Sequence, residues 1–264
     1  MGAISRIRQL GCMAAYGLCV TAVFFGAATH AAEPALTKPT PPVSLEQFLA
    51  TPPEQMQQLE QLLGITSPGH IRGVTVVPLD QLQIPDVYRE QTRAALRQMK
   101  EQGYEEAGEN EVSYIDRAME DKEKLLKPFN EVKPVLKVIP ANLDSPKLRK
   151  VTLLGSMANG AKTAEGWTAL TRLFRIPGLG VAILQETDYI AAQGGMVIAK
   201  ESINYDVNGY PATLSVKESP RSKKGISELV WANDRKWYIL SVNRALKNQR
   251  EIDDLLSFAR GIEE

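Results

Sequence analysis

β-branched and aromatic residues are concentrated in four short stretches near the end of the chain, and polar residues separate them. The stretches are residues 203–207, 210–216, 228–231 and 236–242, and their composition predicts four strands. Asn208-Gly209 predicts a two-residue hairpin turn, because both residue types accept a positive φ. The polar residues 232–235 predict a second turn. This part of the chain is therefore predicted to form an antiparallel meander.

Apolar residues at helical spacing follow the meander. They are Ile252, Leu255, Leu256, Ala259 and Ile262. The intervening charged residues fall on the other faces of such a helix. The pattern therefore predicts a C-terminal amphipathic helix that lays one apolar stripe on the sheet.

The sheet is predicted to begin near residue 132. Residues 133–139 and 147–154 are predicted to be strands on either side of a proline-rich turn. Residues 155–166 contain too much glycine and alanine to predict a strand. Residues 170–176 and 181–184 flank Pro177-Gly178-Leu179-Gly180, which predicts another hairpin.

Helical signals dominate the preceding region, residues 44–131. Capping patterns of the Ser/Thr-x-x-Glu/Gln form predict helix starts at Ser44 and Thr51. A helix is predicted from Pro85 to Gly103 and another up to Pro128, while residues 73–79 predict one edge strand. The predicted fold class is α+β: an N-terminal helical region, residues 44–131, and a mostly antiparallel sheet closed by a C-terminal helix, residues 132–264.

The first residues have the pattern of a secretory signal peptide. Arg6 and Arg8 precede an apolar run, and small residues follow it. We expect residues 1–32 to be removed near Ala31 or Ala32, and residues 33–43 to form a proline-rich leader. An uncleaved anchor is the alternative, because the apolar run is nearly long enough to span a membrane. The predicted location is the periplasm, with no stable membrane span after cleavage.

Charge and cysteine content narrow the function classes. The chain has 31 basic and 31 acidic residues, so it carries no overall field that would attract nucleic acid or an anionic membrane. Both cysteines, Cys12 and Cys19, lie in the signal segment, so no disulfide is expected in the mature chain. Acidic residues crowd between Glu101 and Glu123; they predict either a solvated helix face or a surface for a cation or basic partner.

Patterns for catalysis are weak. His70 has no second histidine in the mature chain to share a metal, and no Gly-x-Ser-x-Gly motif accompanies it. No cofactor or metal site is predicted, and no catalytic residue is assigned. Carboxylate catalysis stays open, because acidic residues near strand ends can pair across a sheet. The candidates are Glu186, Asp188, Glu201 and Asp206.

Aromatic residues supply the candidate ligand-binding site. Trp167, Tyr205, Tyr210 and Trp237 can form a stacking surface for a ligand such as a sugar. The alternative is that the aromatic residues of the meander belong to the core, with Trp231 packed against Tyr238 or Trp237 across one hairpin.

The order of Val207-Asn208-Gly209-Tyr210-Pro211-Ala212, Leu229-Val230-Trp231, Trp237-Tyr238-Ile239-Leu240 and a closing helix resembles sheet-and-helix domains of exported bacterial proteins. These include the lipoprotein-sorting and anti-sigma-regulator families and several uncharacterised envelope families. The likeness covers about the last quarter of the chain. Members of these families are mostly non-catalytic, so the resemblance implies a domain that binds lipid, peptide or a protein on a curved sheet. It assigns no functional residue.

The sequence therefore predicts an exported, non-enzymatic protein that binds a protein partner or an apolar ligand in the cell envelope. The alternative is a carboxylate-dependent hydrolase that acts on envelope glycan or peptide.

Overall fold

The computed structural model describes residues 73–82, 84–192 and 195–262. The predicted signal peptide, the leader, the helix starts at Ser44 and Thr51, and His70 lie outside the described residues. Within them, helices and a large, mostly antiparallel sheet confirm the predicted α+β class.

Six α-helices occur in the described residues. They are α1 (Asp86–Gln102), α2 (Glu109–Val112), α3 (Tyr114–Glu120), α4 (Lys122–Leu125), α5 (Phe129–Val132) and α6 (Gln249–Ala259). The predicted end of α1 is confirmed: Gly103 takes φ 80° and its N–H donates to the Met99 carbonyl, as a left-handed cap does. The single helix predicted after it is divided into α2, α3 and α4. Ser113 and Asp121 interrupt it, with ψ near zero, and both are residue types that compete with helical hydrogen bonding.

Ten strands in the described ranges form two sheets. They are β1 (Gly73–Val77), β2 (Glu105–Glu106), β3 (Thr152–Thr163), β4 (Gly166–Ile176), β5 (Gly180–Asp188), β6 (Gly195–Ala199), β7 (Tyr205–Val207), β8 (Tyr210–Glu218), β9 (Gly225–Ala232) and β10 (Lys236–Val242). The large sheet has the order β2-β8-β9-β10-β5-β4-β3, and β7 also pairs with β8. Its pairs are antiparallel except β2 with β8. The separate small sheet is the parallel pair of β1 and β6, so the partner of the predicted edge strand is β6.

The meander follows the local sequence signals. Asn208 and Gly209 have φ values of 53° and 86°, which the turn between β7 and β8 needs. β9 and β10 pair in register, with Trp231 opposite Tyr238. The predicted hairpin and the second turn at residues 232–235 are confirmed.

One face of the large sheet carries the main hydrophobic core. Alternate residues of β4, β5, β8, β9 and β10 point to it, as strand geometry requires. Leu255, Leu256, Phe258 and Ala259 of α6 are buried in the same cluster. Asn248 caps the helix by accepting the Glu251 N–H.

The opposite face is covered in two places. Val112, Tyr114 and Ile115 of α2 and α3 pack near Leu173 and Ile183. Farther along the same face, Met196 and Ile198 of β6 pack on β9 and β10. The middle of the large sheet is therefore covered on both faces, which is why β8 and β9 are buried at nearly every position.

Of the two strands predicted at the start of the sheet, the first is wrong and the second begins later than predicted. Residues 133–135 form a 3-10 turn, and residues 136–139 join the sheet through a bridge of Leu136 with Trp167. Pro134 explains the turn, because its ring fixes φ and it has no N–H for a strand ladder. Residues 146–148 form another 3-10 turn that begins at Pro146, so the predicted strand at 147–154 starts only at Thr152.

The prediction that residues 155–166 form no strand is also wrong, because they lie in the long hairpin of β3 and β4. The pairing is irregular between Leu153 and Gly155 and between Asn159 and Lys162. Gly160 takes φ 79° at the second irregularity. Glycine within a strand marks such a bulge, so these glycines bend β3 instead of ending it.

Candidate functional site

The four predicted ligand-binding aromatics lie on two faces of the sheet. Trp237 packs beside the cluster that contains Met196 and Ile198. The strand register places Trp167 on the same face of the sheet. Tyr205 packs against the main core on the opposite face, and the pairing of β7 with β8 places Tyr210 on that face too. The structure therefore places two of them on each face of the sheet instead of all four on one platform. Their role in ligand binding stays a prediction.

Trp231 and Tyr238 belong to the core. Their ring centroids are 4.8 Å apart and their planes differ by 12°. Both side chains are buried in the main cluster together with Leu255 and Leu256 of α6. The predicted aromatic pair across this hairpin is confirmed, and it is structural.

The four candidate carboxylates have different partners. Glu186 forms an ion pair with Arg172 at 2.5 Å, and Asp188 accepts from Arg235 Nε at 2.7 Å. Glu201 accepts the Leu79 N–H at 2.8 Å, and the Asp206 side chain is exposed. Glu186 and Asp188 thus each lie against a guanidinium group.

A cavity of about 530 Å³ lies beside the main core, at the end of the sheet formed by β3 and β4. We call it the Arg172 cavity. Ten of its fourteen lining residues are apolar, and they are Phe129, Ile139, Pro140, Ala141, Leu143, Leu148, Val151, Leu153, Phe174 and Phe258. The polar lining residues are Lys133, Asn142, Asp144 and Arg172. Its volume falls in the range of about 300–1,000 Å³ that is typical of small-molecule sites. A mostly apolar wall is also typical of such sites.

Local sequence explains how the cavity is built. Arg172 and Phe174 alternate on one face of β4, and Phe258 approaches from α6. Its loop side, residues 139–144, contains Pro140, which cannot continue a ladder. The cavity therefore lies where the sheet is covered by a loop instead of a long helix.

Arg172 is the one charged side chain of the cavity wall that is almost fully buried, with 4% of it exposed. Its NH1 donates to the Ala141 carbonyl at 3.1 Å, and Glu186 accepts the Ala141 N–H at 2.7 Å. Glu186 is fully buried as well, and the opposite charges of Arg172 and Glu186 compensate each other. Arg172 Nε has no hydrogen-bond partner among the described residues. Burial lowers the pKa of this guanidinium, and Glu186 opposes that effect.

A second buried polar cluster surrounds Glu228, on the opposite face of the sheet. Its carboxylate accepts from Ser241 at 3.1 Å and from the Tyr114 hydroxyl at 3.4 Å. Burial raises its pKa to about 7, although Lys217 and the two hydroxyls act in the other direction. Lys217 donates to Glu111 at 3.3 Å. Glu228 does not line the Arg172 cavity.

The balanced total charge hides two segments of opposite sign. Residues 101–123 contain nine acidic and two basic residues, and residues 127–151 contain six basic and two acidic residues. The basic residues of the second segment are Lys127, Lys133, Lys137, Lys147, Arg149 and Lys150. The sequence analysis identified the acidic segment, and counting charge along the rest of the chain would have identified the basic one as well.

Three of the nine carboxylates in the acidic segment have partners elsewhere in the chain, while five others are exposed, as a solvated helix face predicts. Glu111 pairs with Lys217, Asp116 accepts from Lys224 at 3.0 Å, and Glu109 accepts from Ser219. Neither sequence interpretation, a solvated face or a surface for an outside cation, describes these three carboxylates. They hold α2 and α3 against β8 and β9.

Within the described residues, no group of three His, Cys, Asp or Glu side chains is placed to hold a metal ion. None of the helices in the described ranges is both long and apolar enough to cross a membrane. Comparison of the chain with protein-family models, curated proteins and solved structures finds no match. The resemblance of the C-terminal quarter to envelope-protein domains stays a prediction.

Proposed function

We propose that this protein is an exported, non-enzymatic binding protein of the cell envelope, and that it holds an apolar ligand in the Arg172 cavity. The observation that carries the proposal is the cavity itself: about 530 Å³, with ten apolar lining residues among fourteen. Exclusion of water from such a wall favours hydrocarbon, at roughly 0.8 kcal/mol for each buried methylene group.

Arg172 adds one polar requirement. Its charge is compensated by Glu186 at 2.5 Å, so this part of the wall is polar but carries no net charge. A polar wall without net charge fits an uncharged group, for example an ester or amide carbonyl, because a second buried carboxylate would be repelled by Glu186. The ligand class we propose is therefore an acyl chain that ends in a neutral carbonyl group.

A chain-length series tests this proposal. Methyl esters of increasing length would compete with an environment-sensitive fluorescent probe for the purified mature protein. We expect affinity to rise about fourfold for each added methylene and then to level off when the cavity is full. Affinity that is independent of chain length would contradict the proposal.

A matched pair of variants locates the binding site. Val151→Trp places a large ring at a half-buried lining position and should abolish ester binding. Val87→Trp makes the same change at an exposed residue of α1 and should leave binding intact. If both variants bind equally well, the ligand lies elsewhere, for example at the predicted aromatic residues Trp167 and Trp237.

The hydrolase alternative makes a different prediction. A single Asp→Asn or Glu→Gln substitution would abolish turnover of envelope glycan or peptide while binding of the esters persists. Glu228 would be the first position to test, since a carboxyl with a pKa of about 7 is suited to proton transfer at neutral pH.

A further inference from the structure

We infer that the mouth of the Arg172 cavity docks on an anionic lipid bilayer. Exposed apolar side chains and a local excess of positive charge occur together there. The inference rests on the proposed function for its purpose, since docking would give an acyl ligand a route between bilayer and cavity. Vesicle binding can nevertheless be measured apart from ligand binding.

Exposed apolar residues supply the first observation. Ile139 and Leu153 line the cavity and are 61% and 40% exposed. Val135 is 48% exposed and lies two residues from Lys133, another lining residue. Two of the six large hydrophobic side chains that are exposed in the described part of the chain therefore line this cavity, and a third, Val135, follows its lining residue Lys133 closely in the chain. Such a concentration typically marks an interaction surface.

Positive charge supplies the second, independent observation. Residues 127–151, which contain most of the cavity's lining, have six basic and two acidic residues, a net charge of +4 in a chain whose total is zero. Lys133 lines the cavity, and Arg149 and Lys150 lie between the lining residues Leu148 and Val151. All three are exposed, whereas Lys137 is partly neutralised by Glu165 at 3.3 Å.

The combination favours a bilayer over other partners. Basic residues attract an anionic headgroup layer, and apolar side chains between them enter the boundary of the acyl region. An acidic protein would satisfy the charges but would give exposed Ile139 no hydrocarbon to enter. Because Lys133, Ile139 and Leu153 all line the cavity, a docked mouth would face the acyl region.

Vesicle flotation tests the inference. The mature protein would be mixed with vesicles of phosphatidylcholine containing 30% phosphatidylglycerol, and separately with vesicles of phosphatidylcholine alone. We expect flotation with the anionic vesicles and little with the neutral ones. Binding should weaken strongly in 1 M salt, because the screening length falls to about 3 Å. Equal binding to both kinds of vesicle, or no binding to either, would overturn the inference.

Two charge variants make the test specific to the mouth. Arg149→Gln with Lys150→Gln removes two charges beside the cavity without changing a lining residue, and should weaken partition into anionic vesicles about 25-fold, or about fivefold for each charge. Arg97→Gln with Lys100→Gln removes the same charge from exposed positions of α1 and should change partition little. An equal loss in both would mean that total charge, not the mouth, drives binding.

An apolar variant separates a bilayer from an acidic protein. Val135→Ser should lower vesicle partition several-fold while ester binding in solution stays unchanged. If Val135→Ser has no effect and polyglutamate displaces the vesicles at matched charge, the surface recognises acidic polymers and the bilayer inference is wrong. If esters fail to bind but anionic vesicles still do, the proposed ligand is wrong and the docking surface stands.

Discussion

The hydroxyl of Tyr114 donates a 3.4 Å hydrogen bond to the carboxylate of Glu228, and this contact joins α3 to the middle of the large sheet. Ser241 on the neighbouring strand donates to the same carboxylate oxygen at 3.1 Å. Lys217, Glu111 and Glu105 are the other ionisable groups of this polar cluster. The covering segment is thus held to the sheet by a buried acid whose proton affinity is raised.

The raised pKa of Glu228 gives the stability of the fold a pH dependence. The native pKa of about 7 exceeds the ordinary value of 4.5, so between these values the folded protein holds a proton that the unfolded chain has lost. The stabilisation is complete below pH 4.5 and is lost as the pH rises through 7. A difference of this size corresponds to about 3 kcal/mol between the protonation states.

Glu228→Gln tests this pH dependence, because the amide resembles the protonated acid and can still accept from Ser241. We expect the variant to be more stable than the wild type at pH 8.5 and close to it at pH 5. Urea unfolding at both pH values measures the difference. Parallel pH profiles for the two proteins would show that another group is responsible.

The Arg172 and Glu186 pair yields a prediction about stability. Arg172→Met leaves Glu186, which is fully buried, without its compensating charge and should cost about 3–5 kcal/mol. Adding Glu186→Met removes the orphaned charge, so the double variant should recover part of this loss. Urea unfolding of both single variants, Arg172→Met and Glu186→Met, and of the double variant gives the coupling energy between the two side chains. A double variant that is less stable than Arg172→Met would contradict this account of the pair.

Local signals predicted the elements whose geometry is set by neighbouring residues. The φ preferences of Asn208 and Gly209 are sufficient to define a turn. The φ preference of Gly103 likewise defines the end of α1. β3 was missed because its pairing with β4 outweighs the weak propensity of its own glycines, which bend the strand at bulges. Tertiary context decided that element.

The candidate site was less predictable, although the proximity of Arg172 and Glu186 could have been predicted. The predicted hairpin at residues 177–180 fixes the register of β4 and β5, which places Glu186 diagonally across from Arg172 on the same face. The cavity was not predictable, since Phe129, Leu148 and Phe258 come from three separate segments. Their approach depends on how loops cross the sheet, which periodicity does not encode.

Export is a prediction about residues outside the described ranges. Expression of the whole chain in a Gram-negative host should give a periplasmic protein whose first residue lies between Ala31 and Pro34. Cell fractionation and N-terminal sequencing measure this directly. Since both cysteines would leave with the signal peptide, dithiothreitol should not change the melting temperature of the product. Full-length protein in the membrane fraction would instead favour the uncleaved anchor.

The last prediction concerns α6, whose residues meet both the core and the cavity. Leu255 is fully buried in the main cluster, and Asp254 beside it is exposed. Truncating a buried leucine to alanine removes its apolar contacts and leaves a cavity, at a cost of about 2–5 kcal/mol. This is a large part of the 5–15 kcal/mol by which a typical domain is stable.

Leu255→Ala should therefore lower the urea midpoint clearly, while Asp254→Ala, its neighbour and control, should leave it nearly unchanged. Because Phe258 on the same helix lines the Arg172 cavity, loosening of α6 should also weaken ester binding in Leu255→Ala under conditions where it remains folded. Circular dichroism and probe displacement measure the two effects on one sample. A stable Leu255→Ala variant with full ester affinity would mean that α6 is not held by its apolar stripe, and that the cavity does not depend on the helix.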